Sequence, residues 1–358
     1  MNKKSVFNIS LLMGCLGYLF TPYQISDNVN HYIKFVNINN IHSNFEYDVF
    51  LYFLMKIISG LKGNFFWVQF IFVFLTYYIF LYSFYKFSSK EKNRKIYFIF
   101  FIQYFLAISF NDAVDGMRDY LSIAVCYYAI LLGYLNRKKI VIIVLFLLAG
   151  LVHYMSYIYL FIYVFSEINV VKKYKYYLLF ISIFLGVFFI TPERIYKMVN
   201  ISYFDPFFKN RILIYLSPEM SKNLQLQRSL KGIIFDKVYF CLNVVIPMFY
   251  LFFTHKIKNK IRDILIVNLV LIFIFFNFYT ISFRLSQMII LLTIFELCIN
   301  NLKNKKKWIL LFLIISIIIF IINMYSYRIA YIEIIKYSYF NLLFLVLREN
   351  FGRNFLVK

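Results

Sequence analysis

Arg118, Arg284 and His153 have side chains suited to gripping an anion or moving a proton, and each interrupts an otherwise apolar stretch. Arg118 opens a helical pattern over residues 119–135, with Asp115 and Asp119 on either side. The N-terminus of a helix carries about half a positive charge, so a cation there is disfavoured unless an anion offsets it. Asp115 and Asp119 can supply that offset within the chain, which makes the group structural. The alternative is an external anion, because a guanidinium beside a helix N-terminus suits phosphate. Asn111 or Asp112 is expected to cap the helix, and Gly116 to give the preceding turn its freedom.

Arg284 is expected in a tight turn, 281–284, between two long apolar helices. There it either snorkels to lipid headgroups or serves as a second phosphate-binding guanidinium. Asn277, Ser282, Ser286 and Gln287 are its polar neighbours in sequence. His153 lies between Val152 and Tyr154 in an apolar run. It reads either as an interhelical hydrogen-bonding residue or as a general base, since an imidazole titrates near neutral pH. No second His or Cys stands near it, so a metal site is not expected. Residues 191–236 hold Arg194, Arg211 and Arg228 among Tyr196, Tyr203, Phe204, Phe207 and Phe208. That segment reads either as an amphipathic stretch on anionic lipid or as a lid with aromatic platforms for sugars and cations for phosphates. Gln103, Asn268 and Glu296 lie within or near spans; Gln103 is expected as a helix–helix contact and Glu296 at the inner interface.

The elements that must position these groups are membrane helices. The chain has 358 residues, 62% hydrophobic and only 15% charged, with a mean hydropathy of +0.72. Soluble domains are typically ~45–50% apolar and ~25% charged. The apolar residues fall in blocks at about 5–23, 64–87, 96–110, 119–135, 175–190, 237–254, 263–280, 283–300 and 308–324. Such lengths suit bilayer-spanning helices, and they exceed the ~10-residue alternation of a membrane barrel. Residues 45–62 carry Glu46, Asp48 and Lys56 and read as interfacial or partly inserted. The expectation is an all-α bundle of about ten to twelve spans forming one membrane domain, 1–358, with 191–236 as an extracytoplasmic loop.

Charge sets the sidedness. The net charge is +23, much of it in clusters between apolar blocks: Lys3/Lys4, 86–95, 137–139, 172–175, 256–262 and 303–307. This is the pattern of cytoplasmic loops and argues against nucleic-acid binding. Placing every cluster inside requires 140–167 to enter and return as a short hairpin turning at His153, a single tilted span being the alternative. Asp27, His31, Glu46, Asp112, Asp115, Arg118, His153 and Arg284 then all face outward. Cys15, Cys126, Cys241 and Cys298 lie in apolar blocks without C-x-x-C spacing, so no disulfide framework or zinc site is expected. Leu12-Met13-Gly14-Cys15 is similar to a lipoprotein cleavage box, but the apolar run continues past Cys15, as in a retained helix.

Gly116-Met117-Arg118-Asp119-Tyr120-Leu121-Ser122-Ile123-Ala124 resembles the "G-I-R-Q-x-x-A-x-A" segment of the EpsG/Wzy-type oligosaccharide repeat-unit polymerases. A cationic loop follows, Arg137-Lys138-Lys139, and then Val152-His153-Tyr154-Met155-Ser156 stands where the family has "F-H-x-S-A". Glu46-Tyr47-Asp48 with Tyr52 is similar to the family's "E-P-G-Y", without the Pro-Gly, and Asp119 replaces the usual Gln. Arg284 sits where the family tends to carry another arginine. The resemblance implies polymerisation of polyprenyl-pyrophosphate-linked oligosaccharides at the outer face of a bacterial cytoplasmic membrane, with membrane lipid, a chain-length regulator and a flippase as partners. On this reading Arg118 and Arg284 hold the pyrophosphate, and His153, Asp115 or Asp112 accepts the acceptor's proton. No cofactor or metal is then required, because two guanidiniums neutralise the leaving group. The competing classes are a flippase for the same glycan, which predicts internal repeats, and a membrane acyltransferase, which predicts a deep His open to the cytoplasm.

Overall fold

A computed structural model describes residues 2–20, 27–38, 49–88, 93–191, 194, 230–300 and 305–326. Glu46 and Asp48 lie outside the described residues, as do Arg211 and Arg228. Every regular element among the described residues is helical. Three helices there are long and apolar enough to cross a membrane: Phe65–Phe87, Thr280–Ile299 and Lys305–Tyr325. A fourth is added if Tyr154–Glu167 and Asn169–Phe188, bent by 109° at their junction, count as one broken span. Shorter apolar helices account for several of the other expected blocks, so length and composition alone identify far fewer than ten spans.

The chain divides into two compact units, Met1–Leu160 with Phe320–Lys358, and Phe161–Ile319. In the first, α1 (Lys3–Leu19) packs along α4 (Phe65–Phe87). Glycine permits that approach: a Cβ on Gly17 would stand 2.8 Å from a methyl carbon of Val73. Phe84 of α4 stacks on Tyr104 of α5 (Arg94–Ala107), with ring centroids 4.9 Å apart. Phe80 meets both Tyr120 and Tyr127 of α7 (Met117–Tyr134) at 5.6 Å. Offset or edge-on aromatic pairs of this kind add about 0.5–1.5 kcal/mol each beyond the area they bury. The short helices α2 (Asp27–Val36), α3 (Val49–Gly60) and α6 (Phe110–Val114) belong to the same unit. A core of Leu51, Met55, Phe65, Met117, Leu121 and Val152 joins α3, α4 and α7 to the end of α8 (Lys139–Val152). Met117 just before Arg118, Leu121 about one turn after it and Val152 just before His153 are therefore anchored in close packing.

Residues 140–167 form two helices. Helix α8 ends at Val152, a 3₁₀ turn covers Tyr154–Ser156, and α9 (Tyr157–Glu167) begins afresh. His153 sits at the break with extended backbone, φ −155°. One unbroken helix over 140–167 is thus not formed. Along α8, Ile140, Val144, Leu147 and Leu151 are exposed, the lipid-facing side expected of a helix apolar all round.

The second unit contains α10 (Asn169–Phe188), α11 (Leu230–Phe240), α12 (Ile246–Phe253), α13 (Lys260–Ile274) and α14 (Tyr279–Ile299), with most of α15 (Lys305–Ser326). A π-helical turn at Cys241–Val245 joins α11 to α12. Gly186 lies against α13 so closely that a Cβ there would stand 1.6 Å from the Phe273 carbonyl oxygen. Asn277 secures the same junction, donating from Nδ2 to the carbonyls of Gly186 and Ile190, both at 2.8 Å. Helices α13 and α14 are tied mid-length by Asn268 Nδ2, which donates to the Leu285 carbonyl at 3.2 Å. An amide inside an apolar bundle acts here as a tie between helices.

Below that tie is a cluster of ion pairs. Arg262 and Glu296, both 0% exposed, approach to 3.1 Å through Nε and Oε1. Arg262 also donates to the carbonyl and hydroxyl of Thr254 and, at 3.2 Å, to the Ile257 carbonyl. Asn259 Nδ2 donates to Glu296 Oε1 at 3.2 Å. Lys175 pairs with Asp263 at 2.5 Å, and Lys260 pairs with Glu167. Glu296 was expected at an interface; burial against Arg262 explains its presence in an apolar helix better.

Candidate active site

The site begins with Ser109. Its Oγ accepts from the Asp112 N–H at 3.2 Å and so caps α6. Its own N–H donates to the Tyr120 hydroxyl at 2.9 Å, fastening α6 to α7. The Asn111 amide donates to the Asn323 carbonyl at 2.9 Å. Neither Asn111 nor Asp112 caps α7, contrary to the sequence expectation; Gly116 occupies its N-cap without a side-chain bond. Gly116 has φ −92°, so no left-handed freedom is used there.

Arg118 is the second residue of α7, at the end of the helix predicted for it. Its guanidinium stands 3.6 Å from the carboxylate of Asp27, the first residue of α2. The next residue, Asn28, donates its backbone N–H to Asp115 Oδ1 at 3.4 Å. Two consecutive residues of α2 therefore touch the segment on which Arg118 and Asp115 sit. The ion pair is half in water, with Asp27 53% exposed, and is worth at most about 1 kcal/mol.

Asp119 was expected to neutralise Arg118. The structure places it against His153: Nδ1 lies 2.8 Å from Asp119 Oδ1, with the imidazole 1% exposed. The Met155 N–H also points at Nδ1, from 3.3 Å. One ring nitrogen cannot both donate to a carboxylate and accept from an amide. The shorter, charge-assisted contact prevails, which puts the proton on Nδ1 and leaves Nε2 as the basic nitrogen. This is the arrangement by which a carboxylate orients a catalytic histidine. The sequence signal for it was the departure at Asp119, where a carboxylate stands in place of the usual Gln.

His31 was assigned to the outward side with no role. It is 2% exposed, and burial holds its imidazole well below the usual histidine range, with help from the positive charges of Arg118 and Lys34 and from the neighbouring His153. The Asp27–Arg118 and His153–Asp119 contacts bring α2, α7 and the break after α8 together. Asp115, Arg118 and His153 thus come together, with Asp27, His31 and Asp119 added to them.

Arg284 belongs to the second unit. The turn between the apolar helices lies at 275–278, ahead of the expected 281–284, so Arg284 sits within α14. Arg194 is also in that unit, donating to the Phe189 carbonyl at 3.0 Å. Among the described residues no group of three or more His, Cys, Asp or Glu side chains is placed to hold a metal ion.

Apolar spanning helices and an imidazole–carboxylate pair near a helix-terminal guanidinium define a multi-pass membrane protein with a polar cluster among its helices. The family model of the EpsG family matches residues 4–339. The chain belongs to the EpsG family, and its function is that of a membrane-associated glycosyltransferase, polymerising repeat units for surface polysaccharide. Its substrates are lipid-linked oligosaccharides. Comparison with curated proteins and with solved structures gave no match.

Proposed function

We propose that the chain joins polyprenyl-pyrophosphate-linked oligosaccharides at the outer face of a bacterial cytoplasmic membrane, with His153 as general base and Arg118 as the grip on the leaving pyrophosphate. The His153–Asp119 contact carries the reading. An acceptor sugar hydroxyl attacks the donor's anomeric carbon, and a new glycosidic C–O bond forms as the bond to pyrophosphate breaks. The hydroxyl proton passes to His153 Nε2, and Asp119 stabilises the resulting imidazolium. Arg118 exchanges its exposed partner Asp27 for the leaving group's growing charge, assisted by the N-terminus of α7. Asp115 and Asp112, on the segment before α7, shape the field around that cation. Arg284 supplies a second guanidinium to the pyrophosphate, and Arg194, Arg211 and Arg228 belong to a substrate-guiding loop, 191–236. Around this site stands one membrane domain of about ten to twelve spans, which works with a flippase and a chain-length regulator.

Single replacements of Arg118, His153 and Arg284 test the reading, with surface glycan resolved on a gel. The expected result is loss of the polymer ladder and accumulation of single lipid-linked units on the outer leaflet. Accumulation on the inner leaflet would instead assign the chain to transport.

A further inference from the structure

Two side chains of α2 remain unused by that mechanism. Asn28 is 0% exposed and His31 2%, and their spacing places them one turn apart on the same face of the helix. Neither Asn28 Nδ2 nor Oδ1 has a hydrogen-bond partner among the described residues, and nor does His31 Nδ1. Buried polar atoms are nearly always bonded, because each one left unmade is destabilising. Three together on one helix face, beside a reaction centre, indicate bonds that are completed by a ligand.

The character of those atoms selects the ligand. An amide offers both donors and acceptors, and a neutral imidazole offers one of each. Neither carries charge, so neither can neutralise a diphosphate, which Arg118 is placed to do. Adjacent hydroxyls on a pyranose ring, each both donor and acceptor, match the pair. We infer that Asn28 and His31 form a saccharide subsite that binds ring hydroxyls of the substrate beside Arg118. The inference rests on the polymerase reading but concerns only the uncharged part of the substrate. Sites built to hydrogen-bond a hydroxyl discriminate strongly against analogues that lack it, so these two residues also set which sugar is accepted.

The test uses the full chain in lipid nanodiscs and two probes: inorganic pyrophosphate, and the repeat-unit oligosaccharide released by mild acid from the cell's own lipid-linked pool. Asn28→Leu and His31→Leu are each expected to weaken oligosaccharide binding about tenfold or more and to leave pyrophosphate binding unchanged. Arg118→Gln is expected to do the reverse. The melting temperature of the empty protein should hold or rise in the leucine variants, because a group bonded only by ligand contributes nothing to the empty fold. Unchanged oligosaccharide binding, or a drop in the melting temperature of the empty protein, overturns the subsite. If a leucine variant does not fold, Asn28→Ser and His31→Gln take its place, and wild-type saccharide affinity in both is equally fatal. Failure of the pyrophosphate arm alone counts against the role of Arg118 and leaves the subsite standing.

Discussion

Replacing Asp119 with Asn changes the partner of the proposed base by a single heavy atom and keeps its shape. At 2.8 Å from Nδ1, the carboxylate makes a charge-assisted hydrogen bond to an imidazole that is 1% exposed. Hydrogen bonds to a charged group contribute about 1.5–3 kcal/mol and neutral ones about 0.5–1.5. An Asn that presents its carbonyl to Nδ1–H therefore forfeits about 1–1.5 kcal/mol, roughly a tenfold loss of rate. An Asn that turns its NH₂ toward Nδ1 forces the ring proton onto Nε2, where the acceptor hydroxyl must deliver its own. In other histidine–carboxylate pairs that wrong tautomer costs about 10⁴ in rate. The expected range for Asp119→Asn is thus about tenfold to ten-thousandfold in kcat, with KM for the lipid-linked unit nearly unchanged. Initial rates of chain growth in membrane vesicles, using extracted lipid-linked repeat units, measure both constants. A variant that polymerises within about threefold of wild type would remove His153 from the proposed base role, since no orientation of the amide preserves both charge and tautomer.

Glu296→Gln leaves Arg262 buried without its counter-charge, and a loss of about 3–5 kcal/mol is expected, read as a fall in thermal midpoint in detergent. Gly186→Ala forces a methyl into the Phe273 carbonyl and should cost about 1–3 kcal/mol or more, checked by the same melt, with Gly17→Ala giving the milder effect. The depressed pKa of His31 has a definite sign: the unfolded chain takes up a proton below about pH 6.5, while the buried imidazole does not. Stability should therefore decline as pH falls below that value, and the decline should flatten in His31→Gln, a comparison made by melting across pH 5 to 8. Arg118 and Lys34 bear on His31 together with His153, so Asp27→Asn, which removes an anion paired with Arg118, should extend the acid-side decline to lower pH without steepening it. Cysteines at positions 116 and 154 should react with an impermeant thiol reagent from outside intact cells; labelling only after permeabilisation would reverse the proposed orientation.

The local parts of the site were legible in the sequence and the long-range parts were not. Hydropathy located α4 to within one residue, and the polar break in an apolar run marked His153 as the end of a helix. Arg118 at the start of α7 followed from the change in periodicity. Its contact with Asp27 did not, because that depends on where α2 docks. The turn ahead of α14 was misplaced because Phe275, Phe276 and Phe278 carry no turn signal. Asn277, the residue that fixes it, acts by bonding to carbonyls on α10. His31 was visible only as an outward histidine, since a residue's burial and missing partners are properties of the packed chain.

The ion-pair cluster at the foot of the second unit bears on how this protein reaches its membrane orientation. Lys175, Lys260 and Arg262 belong to the basic stretches that mark cytoplasmic loops, yet in the finished fold each is joined to an acid. Their positive charge can steer insertion only while the nascent helices are still apart, before those acids arrive. Once the bundle closes, the same cations become fasteners between helices, and orientation is held by rivets rather than by the electrostatics that first chose it. Neutralising them should therefore misorient newly made chains while leaving chains already assembled the right way round.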